Sequence, residues 1–323
     1  MEKVAIGIDL GGTNLKGIIL TEKGESKHVT RIPTEAEKGG ARVMENILTL
    51  IGMLVEKNGG TDSILGVGIG TPGFIDQDGL MLGGAENLPG WKGTQVFAPI
   101  MEKYGLKATG GNDVTVTALA ELRFGAGKGV KNMVCFALGT GIGGGIALGG
   151  KLYKGSHGMA GELGHIVVET NGLQCNCGQK GCVERYASAT GIVNLAKSLC
   201  TDPGVTTPFA EELRKDPSQV TSKMVYDYVA KNDYAAVSVH KTATDMLARA
   251  VGITLNSLAP DRVVLGGGVM MAGDVILDAV KENTKKYCWP AIYERCDMTI
   301  AQMGEDAGVM GSAAMVFDEF AGK

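Results

Sequence analysis

Two short stretches of this chain share one layout, and that layout restricts the fold more than any other feature. Val4 to Asp9 and Leu15 to Leu20 are apolar runs of strand character joined by the polar turn Gly11-Gly12-Thr13-Asn14. Met133 to Leu138 and Gly145 to Leu148 repeat the arrangement around a second glycine-rich turn. A hairpin with a polar glycine tip, met twice in 323 residues, predicts two α/β lobes that open alike and hints at internal duplication.

Other segments fill in the lobes. Ala41 to Glu56 carries helical spacing through Val43, Ile47, Leu50, Ile51 and Leu54, and Ile64 to Gly70 returns to strand character. A helix is expected from Asp113 to Phe124, with further helical stretches over Ala187 to Leu199 and Ala235 to Ala259. The apolar strand Arg262 to Leu265 then runs into Gly266-Gly267-Gly268. The 50 glycines fall at the ends of aliphatic runs, so they read as turns between strands and not as a linker. Asn132 to Gly150 nearly reaches transmembrane length without a break in polarity, but its glycines make it strand, loop and strand.

Charge and cysteine usage exclude several classes of protein. With a net charge of -4 and scattered Lys and Arg, the chain has no basic face for nucleic acid. Met1-Glu2-Lys3 leads straight into an apolar strand, so no export signal is expected. Seven cysteines, three of them crowded between 175 and 182, suit metal binding in a reducing compartment, and a cytoplasmic location follows as the expectation.

The two glycine turns are the first candidates for chemistry. Asp9, Gly11, Gly12, Thr13 and Asn14 put backbone N–H groups, a hydroxyl and a carboxylate on one turn, which can cradle phosphate oxygens and steer hydrated Mg²⁺, with Lys16 adding charge. A plain hairpin turn is the alternative for this loop alone. Leu138 to Gly145 is a denser version, in which Gly139 and Gly141 allow close backbone approach and Thr140 offers a hydroxyl. Two such loops can grip one nucleotide. Gly139, Gly141 and Gly144 also fit a dinucleotide fingerprint, but that fingerprint should open a helix, whereas Gly145 to Tyr153 reads as strand and turn. A Walker-type phosphate loop is absent from the sequence.

Asp113 follows Gly111-Asn112 at the first turn of its helix, where an aspartate serves as an N-terminal cap or as the base that takes a proton from an attacking hydroxyl. Cys175, Cys177 and Cys182, preceded by His165, make a three-Cys, one-His set that suits tetrahedral zinc in a closed, structural site. The second His165 nitrogen, with Glu162 and Glu184, can meet the vicinal hydroxyls of a sugar. Asn87 is a further candidate contact, while Trp91 beside it reads as core packing.

These residues together resemble the ROK family of repressors, open reading frames and sugar kinases, over nearly the whole chain. Asp9 to Asn14 looks like its first phosphate motif, Leu138 to Gly145 like its second, and Leu265 to Gly268 like its adenosine motif. Glu162-Leu-Gly-His165 with Cys175 to Glu184 resembles the ROK zinc and sugar signature. The resemblance implies an actin-like ATPase fold of two ribonuclease H-like lobes, with ATP and Mg²⁺ between them and Asp113 as base. It also implies sugar contacts from Asn87, Asn112, Glu162, His165 and Glu184, nucleotide contacts from Gly266, Gly267 and Gly268, and a homodimer. A final helix from Ala307 to Phe320 would return to the first lobe, giving lobes of 1–117 plus 307–323 and of 118–306. ROK repressors carry an extra N-terminal DNA-binding segment, whereas the phosphate loop here begins at Asp9, so DNA contact is not expected. Asn87 to Trp91 and Glu184 to Gly191 look most like the glucokinase branch. The expected reaction is therefore transfer of the terminal ATP phosphoryl group to the 6-hydroxyl of a hexose, glucose first. Mannose, fructose, allose, N-acetylmannosamine and a sugar sensor without turnover are the alternatives.

Overall fold

The structure, a computed structural model, describes residues 2–85 and 87–321. The chain starts with β1 (Val4–Leu10), β2 (Asn14–Thr21), β3 (Ser26–Pro33), α1 (Gly40–Asn58) and β4 (Ile64–Thr71). A short pair, β5 (Phe74–Ile75) and β6 (Met81–Gly83), precedes α2 (Phe97–Tyr104), β7 (Ala108–Asn112) and α3 (Asp113–Phe124). Next come β8 (Met133–Leu138), β9 (Ile142–Leu148) and β10 (Lys151–Leu152). Helices α4 (Glu184–Ala187), α5 (Ala189–Cys200), α6 (Pro208–Lys215), α7 (Ser222–Val229) and α8 (Tyr234–Leu258) follow. The chain ends with β11 (Arg262–Gly266), α9 (Asp274–Thr284), α10 (Pro290–Tyr293), β12 (Asp297–Ile300) and α11 (Ala307–Phe320). Among the described residues no helix is long and apolar enough to cross a membrane.

One sheet has the order β3-β2-β1-β4-β7 and the other β10-β9-β8-β11-β12. In the first, β1 and β2 are antiparallel while β1, β4 and β7 run parallel. In the second, β8, β11 and β12 are likewise parallel, and β10 returns antiparallel on β9. The sheet orders match position for position, which extends the repeated hairpin seen in the sequence into a repeated sheet.

The chain separates into two compact units, Met1–Lys131 with Gly145–Gly161 and Gln302–Lys323, and Asn132–Gly144 with Glu162–Ala301. The boundary expected at 117/118 falls inside α3, which stays whole in the first unit. The chain leaves the second unit for the first within β9, at Gly144 and Gly145.

In the first unit both faces of the sheet are covered. Val4, Ile6, Ile8 and Leu10 of β1 pack with Ile47, Leu50, Ile51 and Leu54 of α1. Ala5, on the alternate face, meets Val309, Ala313 and Val316 of α11. Glycines inside the strands make that second layer possible. A Cβ on Gly7 would lie 2.2 Å from the Val309 carbonyl oxygen, and one on Gly68 would lie 1.8 Å from that of Ser312. These glycines therefore serve close helix-on-sheet approach, not the turn role that the sequence suggested for them. Glu121 of α3 is buried, and its carboxylate accepts from the backbone N–H groups of Ala126, Gln302 and Met303. It thereby ties the end of α3 to the segment leading into α11.

Candidate active site

In the first unit the β1–β2 turn is held from below. The Gly11 N–H donates to the Asn14 carbonyl at 3.2 Å, while Thr34 donates through its N–H to Thr13 and through its hydroxyl to Gly11. Gly12, Thr13 and Asn14 are left exposed. Asn87 is also exposed, and its Nδ2 lies 3.5 Å from where a Gly12 Cβ would stand. Lys16 is nearly buried and bonded to the Asp306 carboxylate and the Glu305 carbonyl, so its charge is committed to the turn before α11.

The helix cap is Asn112 and not Asp113. The Asn112 Oδ1 accepts from Val114 N–H at 3.0 Å and from Thr115 N–H at 3.4 Å, and its Nδ2 donates to the Gly73 carbonyl. That arrangement leaves Asp113 as the first residue of α3, accepting from Val114 N–H through Oδ1 at 2.9 Å. Burial raises the proton affinity of Asp113 above the ordinary aspartate range, and the hydrogen bonds from Val114 and Asn112 oppose the shift without cancelling it.

Asp9 sits at the end of β1 in the same environment. Burial and then the Asp113 charge raise its pKa from 3.8 to about 6, against the pull of Lys16. Gly308 makes room for it, since a Cβ there would come within 2.7 Å of Oδ2. Two partly desolvated carboxylates, one of them raised further by the charge of the other, are hard oxygen donors suited to Mg²⁺.

This arrangement predicts a stability cost. A folded carboxyl whose pKa is raised holds its proton more tightly than the unfolded chain does, so stability falls as pH rises between about 4 and 6 and the full cost is present above that window. Asp9→Asn should raise the melting temperature of the ligand-free, magnesium-free protein at pH 7.5 by about 5 °C, for a relief of roughly 2–3 kcal/mol. Near pH 4 the gain should vanish. A variant that melts no higher than the parent at pH 7.5 would remove the assignment.

In the second unit the β8–β9 turn is built from three directions. The Gly139 N–H donates to the Gly141 carbonyl and the Ala189 N–H to the Gly139 carbonyl, both at 2.9 Å. The Glu184 Oε2 accepts from the Ile142 N–H at 2.9 Å, and a Cβ on Gly141 would stand 2.4 Å from that oxygen. Gly164 lies against the Ile142 carbonyl, where a Cβ would come within 1.9 Å. Glycine is thus required in Glu162-Leu-Gly-His165 by a neighbour distant in sequence. Thr140 remains exposed at the tip of the turn.

The predicted metal ligands come together. One ligand atom from each of His165, Cys175, Cys177 and Cys182 lies within 4.8 Å of the others. The Cys175 Sγ is 3.7 Å from His165 Nδ1, and the sulfurs of Cys177 and Cys182 are 3.6 Å apart. A tetrahedron with Zn–S bonds of about 2.3 Å puts neighbouring sulfurs about 3.8 Å apart, so the set fits zinc. Burial, with hydrogen bonds from Cys177 and Cys175, pushes the Cys182 thiol up to about 12, because without a cation a further thiolate is disfavoured there. With Nδ1 turned to the cluster, His165 presents Nε2 on its other side, 3.8 Å from Glu162.

Beyond β11, Gly267 takes φ 89 and approaches β8 so closely that a Cβ would lie 2.5 Å from the Leu138 carbonyl oxygen. Gly268 borders a cavity of about 780 Å³ walled by Tyr226, Val229, Val269, Ala272 and Val275. No sequence signal marked the α7 side of this cavity, since its residues lie more than 30 positions before the glycines in an ordinary amphipathic helix.

A family model described as ROK matches residues 5–319. A glucokinase of Halalkalibacterium halodurans is 37% identical over 316 residues, covering 96% of this chain and 94% of that one. The xylose repressor of Bacillus subtilis is 24% identical over 98% of this chain and 77% of its own length. Among solved structures, a ROK hexokinase from Thermus thermophilus superposes with a TM-score of 0.84 at 27% identity, covering 98% of both chains. A ROK glucokinase from Streptomyces griseus, in complex with glucose and AMPPNP, gives 0.74 at 27% identity over 97% of this chain and 98% of that one. The fold is accordingly the actin-like ATPase fold of two α/β lobes, and the protein is a phosphotransferase of the sugar-kinase class. The chain belongs to the ROK family.

Proposed function

We propose that this protein transfers the terminal phosphoryl group of ATP to the 6-hydroxyl of a hexose, with glucose as the preferred acceptor. Asp113 takes the hydroxyl proton as the oxygen attacks. The observation that carries this reading is the environment of Asp113: a carboxylate at the first position of a helix, capped by its neighbour and not by itself, with its proton affinity raised by burial. A base is most effective when its pKa lies closer to the working pH than a free carboxylate allows.

The sugar is held by Asn87, Asn112, Glu162, His165 and Glu184, and the phosphates by the turns at Gly11 to Asn14 and Gly139 to Gly141. The cavity beside Gly266 to Gly268 takes the adenine, whose flat apolar faces suit aliphatic walls. Mg²⁺, when bound, neutralises charge on the phosphate oxygens. Asp9 is the carboxylate placed to hold that ion or its waters. Zinc on His165, Cys175, Cys177 and Cys182 fixes the His165 ring. A cytoplasmic site of action agrees with three thiols kept as metal ligands.

The resemblance to a glucose- and AMPPNP-bound relative supports glucose and ATP, and the glucokinase name at 37% identity supports the same acceptor. A coupled ADP-release assay with MgATP should show turnover on glucose at least tenfold above that on mannose, fructose, allose and N-acetylmannosamine. Faster turnover on another of these sugars would reassign the acceptor. Silence on all of them with sugar still bound would make the protein a sensor.

A further inference from the structure

Glu184 lies where the sugar signature and the second phosphate turn meet. Its Oε2 accepts from the Ile142 N–H at 2.9 Å, on the same turn where a Cβ on Gly141 would stand 2.4 Å from that oxygen and displace it. The Ile142 carbonyl is covered from its other side by Gly164, between Glu162 and His165. Ala189, just beyond α4, donates its N–H to the Gly139 carbonyl. The backbone of one residue, Ile142, is therefore held on its N–H side by Glu184 and covered on its carbonyl side by Gly164, one from each half of the sugar signature.

We propose that Glu184 is a positioning residue that couples sugar binding to nucleotide binding by holding the phosphate turn through the Ile142 amide. The inference rests on the kinase reading of the same residues. A carboxylate has two oxygens and about four acceptor sites, so one oxygen can hold the turn while the group also accepts a sugar hydroxyl. A hydroxyl bound there fixes the carboxylate, and a fixed carboxylate fixes the turn. ATP then meets a turn whose ordering cost has already been met, which is positive coupling without a large movement. The coupling is reciprocal, so nucleotide tightens sugar by the same factor.

The test is a set of calorimetric titrations with Mg-AMPPNP, with and without a saturating amount of whichever panel sugar is turned over fastest. The parent protein, Glu184→Ala and Gly141→Ala are compared. Sugar should tighten the analogue at least about fivefold in the parent. The factor should fall to near one in both variants, with zinc content unchanged. Gly141→Ala makes no sugar contact of its own and acts by pushing the Glu184 carboxylate. It decides the matter if Glu184→Ala fails to fold or to bind sugar. A parent-like factor in either variant overturns the proposal, as does a parent that binds both ligands with a factor of one. A parent that binds neither ligand overturns the kinase reading and the coupling with it, an outcome separate from loss of the factor alone.

Discussion

Asp113→Asn is expected to lower turnover by a factor on the order of 10²–10⁴ or more, while sugar binding stays within a few-fold of the parent. The substitution keeps the size of the side chain and an oxygen for the Val114 N–H, so α3 should start unchanged. What it removes is a group able to take a proton. The pH dependence gives a second view of the same residue. Burial raises Asp113 above the ordinary aspartate range, and burial with the Asp113 charge raises Asp9 to about 6. Asp113 must be ionised to act as base and Asp9 to hold Mg²⁺, so kcat/KM for MgATP should be full near pH 7.5 and fall as pH drops through about 6, where Asp9 takes up its proton. An acid limb at or below the free aspartate value of 3.8, or normal turnover by the Asn variant, would remove the mechanism.

Stripping zinc should cost sugar affinity and stability together. The segment from Gly172 to Gly181 holds itself by a few backbone hydrogen bonds, such as Cys175 N–H to Gln179 and Gly181 N–H to Leu173, and has little apolar burial of its own. Without a cation, the crowded thiols lose the charge that would draw them together. Chelation, or Cys177→Ser, is expected to raise the sugar KM tenfold or more and to lower the melting temperature, since metal binding free energy is also folding free energy. The parent should carry one zinc per chain by elemental analysis. A metal-free protein with unchanged melting and unchanged KM would sink the assignment.

Much of this was legible in the sequence where the signal is local. α3 and β8 begin and end where expected, because a polar cap and an aliphatic run mark them, while the bounds of α11 follow from the family resemblance. The four metal ligands also declared themselves by spacing. β7 did not, since Ala-Thr-Gly-Gly-Asn has no aliphatic run, and it becomes a strand only by pairing with β4. Nor did Thr34, Gly164 or Glu121 stand out. Each acts on a backbone group that is remote in sequence, and no periodicity encodes such a neighbour. Asp113 reads from the sequence as a possible cap, whereas Asn112, one residue earlier, does the capping.

The packing of α11 on Gly7 and Gly68 also sets an order of events during synthesis. The first unit waits for residues 302 onward, which are made after every segment of the second unit, to cover one face of its sheet. The second unit has all its segments by Ala301. Of the two units, the one begun first is thus completed second, and until α11 arrives the exposed face of β1 and β4 is a part of the nascent chain in need of a chaperone.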